Sequence, residues 1–236
     1  MKIIIPLAGP NYLSRGVIKG QIMTSRGPLL RSILESRPWF NIFPSESYVF
    51  IFLEHEKLRT FFYKDIKKFL PKSQAIFLSK ETKGAALSAL NGLTLFDLSE
   101  SFPLLIDLAD ISFSCTKNYR SNIFNLYDSD VLINTFTSQN ESFSFAQVDK
   151  NNIVKVIKEK IVISNKALVG TYFFRSFNIY LKAIERSLNS FKNYSYNDLL
   201  FISPILNSLI CNKTSENFKI KCIESKLIDD YSTIFH

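Results

Sequence analysis

The chain opens with the stretch that decides its fold, MKIIIPLAGPNYLSRGVIKGQIMTSRGPLL, residues 1–30. Residues 3–5 are all isoleucine and are followed by Pro6, a pattern typical of a short strand buried on both faces in a parallel sheet. The loop from Ala8 to Lys19 comes next and carries two glycines, an asparagine, a tyrosine, an arginine and a lysine. This composition is expected where a backbone approaches phosphate groups that cations neutralise, although an ordinary strand-to-helix connection has it too.

Length and composition indicate a folded α/β chain. Of its 236 residues, 46% are hydrophobic and only seven are glycine, which excludes a disordered chain and allows a large core. No linker rich in proline, glycine or serine divides the sequence. We therefore expect one domain over residues 1–236.

The charge balance favours anionic ligands. Basic residues exceed acidic ones by 29 to 21, giving a formal net charge of +8, but this excess does not choose among kinds of anion. In the densest basic stretch, residues 64–72, the lysines recur at a helical period opposite phenylalanine, isoleucine and leucine, as on a solvated helix face. We expect no nucleic acid partner.

Cysteine spacing and hydropathy indicate the compartment. The three cysteines show no CxxC spacing, which predicts free thiols rather than a zinc site or a disulfide framework. The apolar run at the start is too short for a signal-peptide core, and no later run is long enough to span a bilayer. We expect a cytoplasmic protein with no membrane partner, and a homo-oligomer is left open.

Apolar runs and amphipathic segments alternate along the chain, and each predicts an element. The predicted strands cover residues 3–5, 48–53, 75–78, 102–106, 131–135, 142–148, 153–157 and 219–223. The predicted helices cover residues 29–36, 57–70, 85–95, 118–127 and 178–190. A further apolar segment, residues 194–210, reads as a helix with Asp198 and Asn207 on its polar edge.

Two carboxylates follow the predicted strand at residues 102–106, which ends in Asp107-Leu108-Ala109-Asp110. Carboxylates at the end of a buried strand need solvent or a counter-charge, so a divalent cation is a physically sensible partner. A pair of turn-capping aspartates is the alternative.

Two further polar sites follow strands. Thr82-Lys83-Gly84 precedes an alanine-rich helix and is either a loop that contacts an anion or a base, or a turn in which Thr82 caps the helix. His55 stands between two glutamates after another strand. Because no second histidine is near it in the sequence, a surface residue is expected rather than a metal ligand.

Several segments, in their order and spacing, resemble the sugar-phosphate nucleotidyltransferases, which make nucleotide-activated sugars. These segments are Ala8-Gly9 with Arg15 and Lys19, Gly27-Pro28-Leu29-Leu30, Glu81 to Ala86, Asp110, Glu159-Lys160, residues 163–174 (ISNKALVGTYFF), residues 194–210, and Asp230. The resemblance covers nearly the whole chain. It implies a single GT-A/Rossmann-like α/β domain with a mixed, mostly parallel central sheet flanked by helices.

The resemblance also implies a role for each matching residue. On the triphosphate side it implies contacts from Ala8, Gly9 and Asn11, with Arg15 and Lys19 taking charge on the triphosphate and the leaving group. Thr82 and Gly84 would approach the nucleotide, and Glu159, Lys160 and Gly170 the sugar phosphate, with Lys160 facing the acceptor phosphate. Asp110 and Asp230 would hold Mg²⁺, the implied cofactor.

The reaction that the resemblance implies joins a nucleoside triphosphate and a sugar phosphate into a nucleotide-sugar with release of pyrophosphate. The composition suits a role in bacterial surface-glycan synthesis. One alternative is a glycosyltransferase on the same fold, with Asp107 and Asp110 on the metal of a nucleotide-sugar. Another is a non-catalytic regulatory or partner subunit, because Pro10 offers no N–H to a phosphate and Ser232 stands where the family has glycine.

Overall fold

The computed structural model describes residues 1–97, 101–115, 128–210 and 218–231. The predicted helix at 118–127 lies outside these residues, as do Cys211 and Ser232. Within the described ranges, no helix is both long and apolar enough to cross a membrane.

Strands are numbered in chain order. They are β1 (Lys2–Pro6), β2 (Leu13–Ser14), β3 (Val17–Ile18), β4 (Met23–Thr24), β5 (Gly27–Pro28), β6 (Tyr48–Leu53), β7 (Gln74–Leu78), β8 (Leu104–Asp107), β9 (Ile111–Cys115), β10 (Val131–Thr137), β11 (Phe145–Val148), β12 (Val154–Lys158), β13 (Lys166–Phe174) and β14 (Ile220–Asp230).

The α-helices are numbered in the same way over the described residues. They are α1 (Leu29–Glu35), α2 (Glu56–Phe61), α3 (Lys67–Phe69), α4 (Ala85–Gly92), α5 (Phe177–Asn189), α6 (Phe191–Tyr194), α7 (Ile202–Ile205) and α8 (Asn207–Ile210). A π-helical segment, Phe62–Ile66, joins α2 to α3.

A mixed ten-stranded sheet forms the centre of the molecule, and eight of its strands follow the order β7-β6-β1-β8-β13-β10-β14-β9. Strands β7, β6, β1 and β8 are parallel to one another, and β14 is parallel to β10. Strand β13 is antiparallel to β8 and β10, and β9 is antiparallel to β14. The expected mixed, mostly parallel sheet is confirmed, and the carboxyl ends of β1, β8 and β14 lie at one edge.

Alternation along β1 divides the core into two layers. Ile3 and Ile5 pack on the face covered by α1 and α2, and Ile4 packs on the face covered by α4. All three isoleucines are fully buried, as the apolar run predicts. Gly92 lets α4 approach closely, because a Cβ there would lie 2.8 Å from the Ile4 side chain.

The segment 194–210 is not one helix, so that prediction was wrong. Asn197 and Asp198 both have positive φ, and they form a two-residue turn in which Tyr196 and Leu199 exchange backbone hydrogen bonds of 2.9 and 3.0 Å. Asparagine and aspartate enter the left-handed region more readily than other non-glycine residues, which explains the break. Two short helices, α7 and α8, follow it.

Two other predictions needed correction. The last strand continues well beyond residue 223, because β14 keeps pairing with β9 as far as Asp230. Strand β9 itself was not predicted. The helix predicted at 57–70 is helical over nearly that range, but its middle is π-helical.

Candidate active site

The loop after β1 begins with a tight turn. Leu7 extends the pairing of β1 by donating its N–H to Ile51 O at 2.7 Å, and Ala8 is buried. Gly9 and Asn11 are exposed, and Tyr12 N–H closes the turn on Gly9 O at 3.1 Å.

Arg15 occupies the tip of a small hairpin formed by β2 and β3. Arg15 and Gly16 have φ of 49° and 81°, the two positive values that a two-residue type I′ hairpin turn requires. The tip rests on the start of α2, where Lys57 Nζ donates to Gly16 O at 3.2 Å. Arg15 is exposed there.

Lys19 lies at the base of this hairpin, in the opposite environment. It begins a single 3₁₀ turn, Lys19–Gln21, and its side chain is only 10% exposed. Its backbone N–H donates to Tyr12 O at 2.9 Å, and its Nζ donates to Asp110 Oδ1 at 2.8 Å. A buried ammonium needs such a partner, so this pair fixes both side chains at the edge of the sheet.

Asp107 holds the turn that presents Asp110. Arg37 donates from Nε and Nη2 to the two Asp107 oxygens at 2.7 and 2.9 Å, and from Nη1 to Ile111 O at 2.7 Å. Asp107 also accepts the N–H of Ala109 at 2.9 Å. The Asp107 carboxylate thus bonds the backbone before Asp110 directly and the backbone after it through Arg37, and it is not placed to be a metal ligand.

Asp110 and Asp230, the two predicted metal ligands, are brought together by the pairing of β9 with β14. Asp230 lies opposite Ile111 in that ladder, and Tyr231 N–H donates to Asp110 O at 3.0 Å. Burial raises the pKa of Asp110, Lys19 opposes the rise, and the charges of Asp107 and Asp230 add to it.

The chemistry of this pair fits Mg²⁺. Mg²⁺ is usually held by one or two carboxylates together with water and substrate phosphates, rather than by a cage of protein ligands. In the part of the chain that the structure describes, no group of three or more His, Cys, Asp or Glu side chains is placed to hold a metal. Asp110 and Asp230 therefore match a metal that phosphate ligands would share, and a divalent cation would offset the like charge between them.

Glu159 lies at the end of β12 in a cluster of hydroxyl groups. Its Oε2 accepts hydrogen bonds from the hydroxyls of Ser144 and Ser203, which are 2.9 Å from each other. Burial raises the pKa of Tyr172, and the charge of Glu159 raises it further. Neither serine was predicted from the sequence.

Lys160 and Gly170 flank this cluster. Lys160 has φ of 54°, its side chain is exposed, and its Nζ lies 5.7 Å from the centre of the Tyr196 ring. Gly170 has φ of 88°, and its carbonyl accepts the N–H of Leu108 at 3.0 Å. Because Leu108 belongs to the turn that carries Asp110, Gly170 connects the Glu159 side of the site to the carboxylate side.

Gly84 has a structural reason to be glycine. Its φ is 107°, and a Cβ would lie 2.3 Å from Leu200 O, which accepts the N–H of Ala86 at 3.0 Å. Thr82 Oγ1 donates to Gly84 O at 3.0 Å and lies 2.6 Å from Ser88 Oγ. Helix α4 starts with Gly84 as its N-cap, so Thr82 does not cap it in the way considered above.

His55 is a surface residue, as expected. It is exposed and caps α2 by accepting the N–H of Lys57 on Nδ1 at 3.1 Å.

Comparison with known proteins relates this arrangement to a known fold. No family model matches the chain, and the search of curated proteins found no match. Solved structures are similar over almost the whole chain. A nucleoside-diphosphate-sugar pyrophosphorylase from Vibrio cholerae RC9 has a TM-score of 0.76 at 19% identity, covering 94% of this chain and 91% of that one.

Two further structures give the same result. The inositol-1-phosphate CTP transferase from T. maritima has a TM-score of 0.69 at 12% identity, over 100% of this chain and 91% of its own. A UDP-glucose pyrophosphorylase in complex with UDP-glucose has a TM-score of 0.64 at 15% identity, over 96% and 91%. The chain thus has the fold of the sugar-phosphate nucleotidyltransferases, as its sequence predicted.

Proposed function

We propose that the protein is a Mg²⁺-dependent nucleotidyltransferase that joins a nucleoside triphosphate to a sugar phosphate. The observation that carries this proposal is the convergence of Lys19, Asp110 and Asp230 at one edge of the sheet. In open α/β sheets ligands bind outside the carboxyl ends of the strands. The fold shared with pyrophosphorylases and a CTP transferase supports the same reaction class.

The reaction needs no catalytic base. An oxygen of the sugar phosphate attacks the α-phosphorus, the new P–O bond forms, and the bond to pyrophosphate breaks. This oxygen is ionised at neutral pH, since the second pKa of a phosphate monoester is about 6. The protein therefore contributes position and charge neutralisation.

The chain's own residues divide this work between two sides. Asp110 and Asp230 would hold Mg²⁺, which supplies charge neutralisation at the α-phosphate when bound. Lys19, held in place by its backbone bond to Tyr12, would take charge on the triphosphate and on the departing pyrophosphate. On this side we also assign contacts to Ala8, Gly9, Asn11 and Arg15.

The acceptor would lie on the side of β12 and β13. Lys160 is exposed, and its charge would attract the acceptor phosphate. Glu159, oriented by two serine hydroxyls, would accept hydrogen bonds from the sugar, with Gly170 at the boundary between the two substrates. Thr82 and Gly84 are assigned to the nucleotide. A role in surface-glycan synthesis stays a prediction.

The glycosyltransferase alternative is less well supported. It requires Asp107 and Asp110 to share a metal, whereas Asp107 is fully buried and both of its oxygens accept hydrogen bonds from Arg37. Breaking that pair would leave an uncompensated charge in the core.

Pyrophosphate release tests the proposal. The purified protein is mixed with each common nucleoside triphosphate, Mg²⁺ and a panel of sugar 1-phosphates, and release is followed with a coupled enzyme. We expect one triphosphate to support release, and Asp110→Asn and Lys19→Met to slow it about 10²–10³-fold. The matched control is Asp128→Asn, an exposed aspartate paired with Lys219 away from the site. No release with any combination would favour the non-catalytic alternative.

A further inference from the structure

A cavity lies beside the candidate site but outside it. Its volume is about 310 Å³, and it is bordered by the Lys19–Gln21 turn, α1 and the helical stretch from α2 to α3. Its lining residues are Gly20, Gln21, Pro28, Leu30, Arg31, Phe61, Asp65, Lys68 and Phe69. Pockets that hold small molecules begin at about 300 Å³ and combine apolar walls with a few polar groups, as this one does.

One wall of the cavity is the turn that carries Lys19. Gln21, at the other end of this three-residue turn, donates from Nε2 to Asp65 Oδ2 across the cavity at 2.7 Å. Gly20 lies between them and packs closely, because a Cβ there would lie 2.4 Å from the Tyr12 hydroxyl and 2.8 Å from the Phe61 ring. Gln21 and Lys19 are thus the two ends of one short, closely packed turn, and the position of one bears on the position of the other.

The opposite wall is the π-helical segment. Asp65 lies within it, and Lys68 follows one turn later with its Nζ 3.8 Å from Asp65 Oδ1. Single π-helical turns are rare and occur frequently at functional sites. Here the π turn presents Asp65 to Gln21, so the contact across the cavity depends on it.

The lining defines the chemistry of an occupant. Phe61 and Phe69 contribute aromatic carbon to the wall, with Arg31 Cζ 5.6 Å from the centre of the Phe69 ring, and the Gln21 carboxamide with the Asp65 carboxylate offers a donor and acceptors at the edge. Arg31 and Lys68 bring two cations, although Arg31 also pairs with Glu35 at 2.7 Å. A small planar ring that bears one anionic group matches these features, because aromatic side chains pack against rings and guanidinium and ammonium groups bind anions.

We propose that this cavity is a regulatory binding site for such a ring-bearing anion. The edge of the bound ring takes the place of Asp65 beside the Gln21 carboxamide, so the hydrogen bond between Gln21 and Asp65 is lost. The Lys19–Gln21 turn then loosens. The consequence for catalysis rests on the proposed function, since Lys19 would then be less well placed at Asp110. Binding itself does not depend on that function.

Calorimetry in Mg²⁺-free buffer tests binding. The probes are the common nucleoside 5′-monophosphates in one arm and phenyl phosphate and benzoate in the other, which separates a nucleotide from a simple aromatic anion. We expect at least one probe to bind wild-type protein and Asp110→Asn with the same Kd. Lys68→Glu and Phe69→Ala should weaken it at least about tenfold, or about 1.4 kcal/mol.

Lys64→Glu is the matched control, because Lys64 is exposed on the same helical stretch and does not line the cavity. Lys68 is also exposed, so Lys68→Glu decides the question if Phe69→Ala does not fold. Absence of binding by every probe at millimolar concentration overturns the proposal. So does binding that Asp110→Asn abolishes and the cavity variants retain, since the probe would then occupy the candidate active site.

Hydrogen exchange tests the coupling without any turnover. The probe should speed exchange of the Lys19 amide, which is protected by its bond to Tyr12 O in the free protein. Unchanged exchange with bound probe would contradict the link to Lys19. Because neither measurement requires transfer, failure of the proposed function would show separately, as a wild-type protein that binds a probe and releases no pyrophosphate.

Discussion

The buried pair of Arg37 and Asp107 gives the sharpest prediction about stability. The Arg37 side chain is 1% exposed, that of Asp107 is fully buried, and three short hydrogen bonds run from the guanidinium to Asp107 and to Ile111 O. Replacing Arg37 with methionine keeps the apolar stem and leaves the Asp107 carboxylate buried without its counter-charge. Breaking a buried pair in this way costs about 3–5 kcal/mol.

This loss is a large share of the stability of an ordinary domain, which is about 5–15 kcal/mol. For a chain of this size, each kcal/mol shifts Tm by about 2–4 °C, so we expect Arg37→Met to unfold about 6–20 °C below the wild type. Thermal and urea unfolding monitored by circular dichroism measure the change. Combining Arg37→Met with Asp107→Asn should recover part of the loss, because the double variant holds no uncompensated charge and the new carboxamide oxygen can still accept the N–H of Ala109.

The matched control is Arg31→Met. Arg31 pairs with Glu35 at 2.7 Å, but both side chains are well exposed, and such a pair contributes about 0.3–0.5 kcal/mol. If Arg37→Met destabilises the protein no more than Arg31→Met does, Asp107 is not held as described. The account of how Asp110 is presented would then be refuted.

Three further predictions concern single residues. Gly84→Ala should lower the free energy of unfolding by about 1–3 kcal/mol or prevent folding, because φ is 107° and a Cβ would lie 2.3 Å from Leu200 O. Gly9→Ala is the control: its Cβ would meet nothing within 4 Å, so in a urea titration it should unfold close to the wild type. Tyr12→Phe should leave the urea midpoint of unfolding unchanged or raise it, because the buried Tyr12 hydroxyl has no hydrogen-bond partner among the described residues. A loss of more than about 1 kcal/mol in the free energy of unfolding would show that the hydroxyl does have a partner. Burial raises the pKa of the Cys222 thiol to about 12, so iodoacetamide at pH 8 should label Cys222 after unfolding but not in the native protein. Mass spectrometry measures the labelling, and rapid labelling of the native protein would contradict the burial of Cys222.

Much of the fold followed from local sequence. Unbroken apolar runs such as residues 3–5 and 48–53 predict strands because a strand buried on both faces has no polar side and the runs are too short for a buried helix. The two strands lie next to each other in the sheet. The hairpin around Asp149 and the helix at Phe177–Asn189 followed from turn residues and helical periodicity in the same way.

What the sequence did not predict depends on partners far apart in the chain. Asp107 reads as a metal ligand until Arg37, 70 positions away, is found on it. The serines that orient Glu159 lie 15 and 44 positions from it, and neither is marked by a pattern. Strand β9 follows directly after a polar turn, and it becomes recognisable only through its pairing with β14.

The site itself was partly predictable. Asp110 and Asp230 were chosen through the resemblance, and the structure brings them together because β14 continues to its pairing with β9. Lys19 was chosen as a phosphate contact, but its partner in the free protein is Asp110, which periodicity and spacing do not indicate. Arg15 was placed with Lys19 through the resemblance, whereas in the structure the hairpin separates an exposed tip, which carries Arg15, from a buried base, which carries Lys19.

Formation of the nucleotide-sugar itself tests the central claim most directly. Phosphorus NMR of the protein with Mg²⁺, the triphosphate that supports pyrophosphate release and its sugar 1-phosphate resolves the substrates, free pyrophosphate and the new diphosphate group that links nucleoside and sugar in the product. We predict that product and pyrophosphate appear in equal amounts with the wild type and with Asp128→Asn, and that both signals build up about 10²–10³-fold more slowly with Lys19→Met and Asp110→Asn. Pyrophosphate or phosphate without a matching nucleotide-sugar signal, or equal product from the Asp110→Asn variant, would contradict the account.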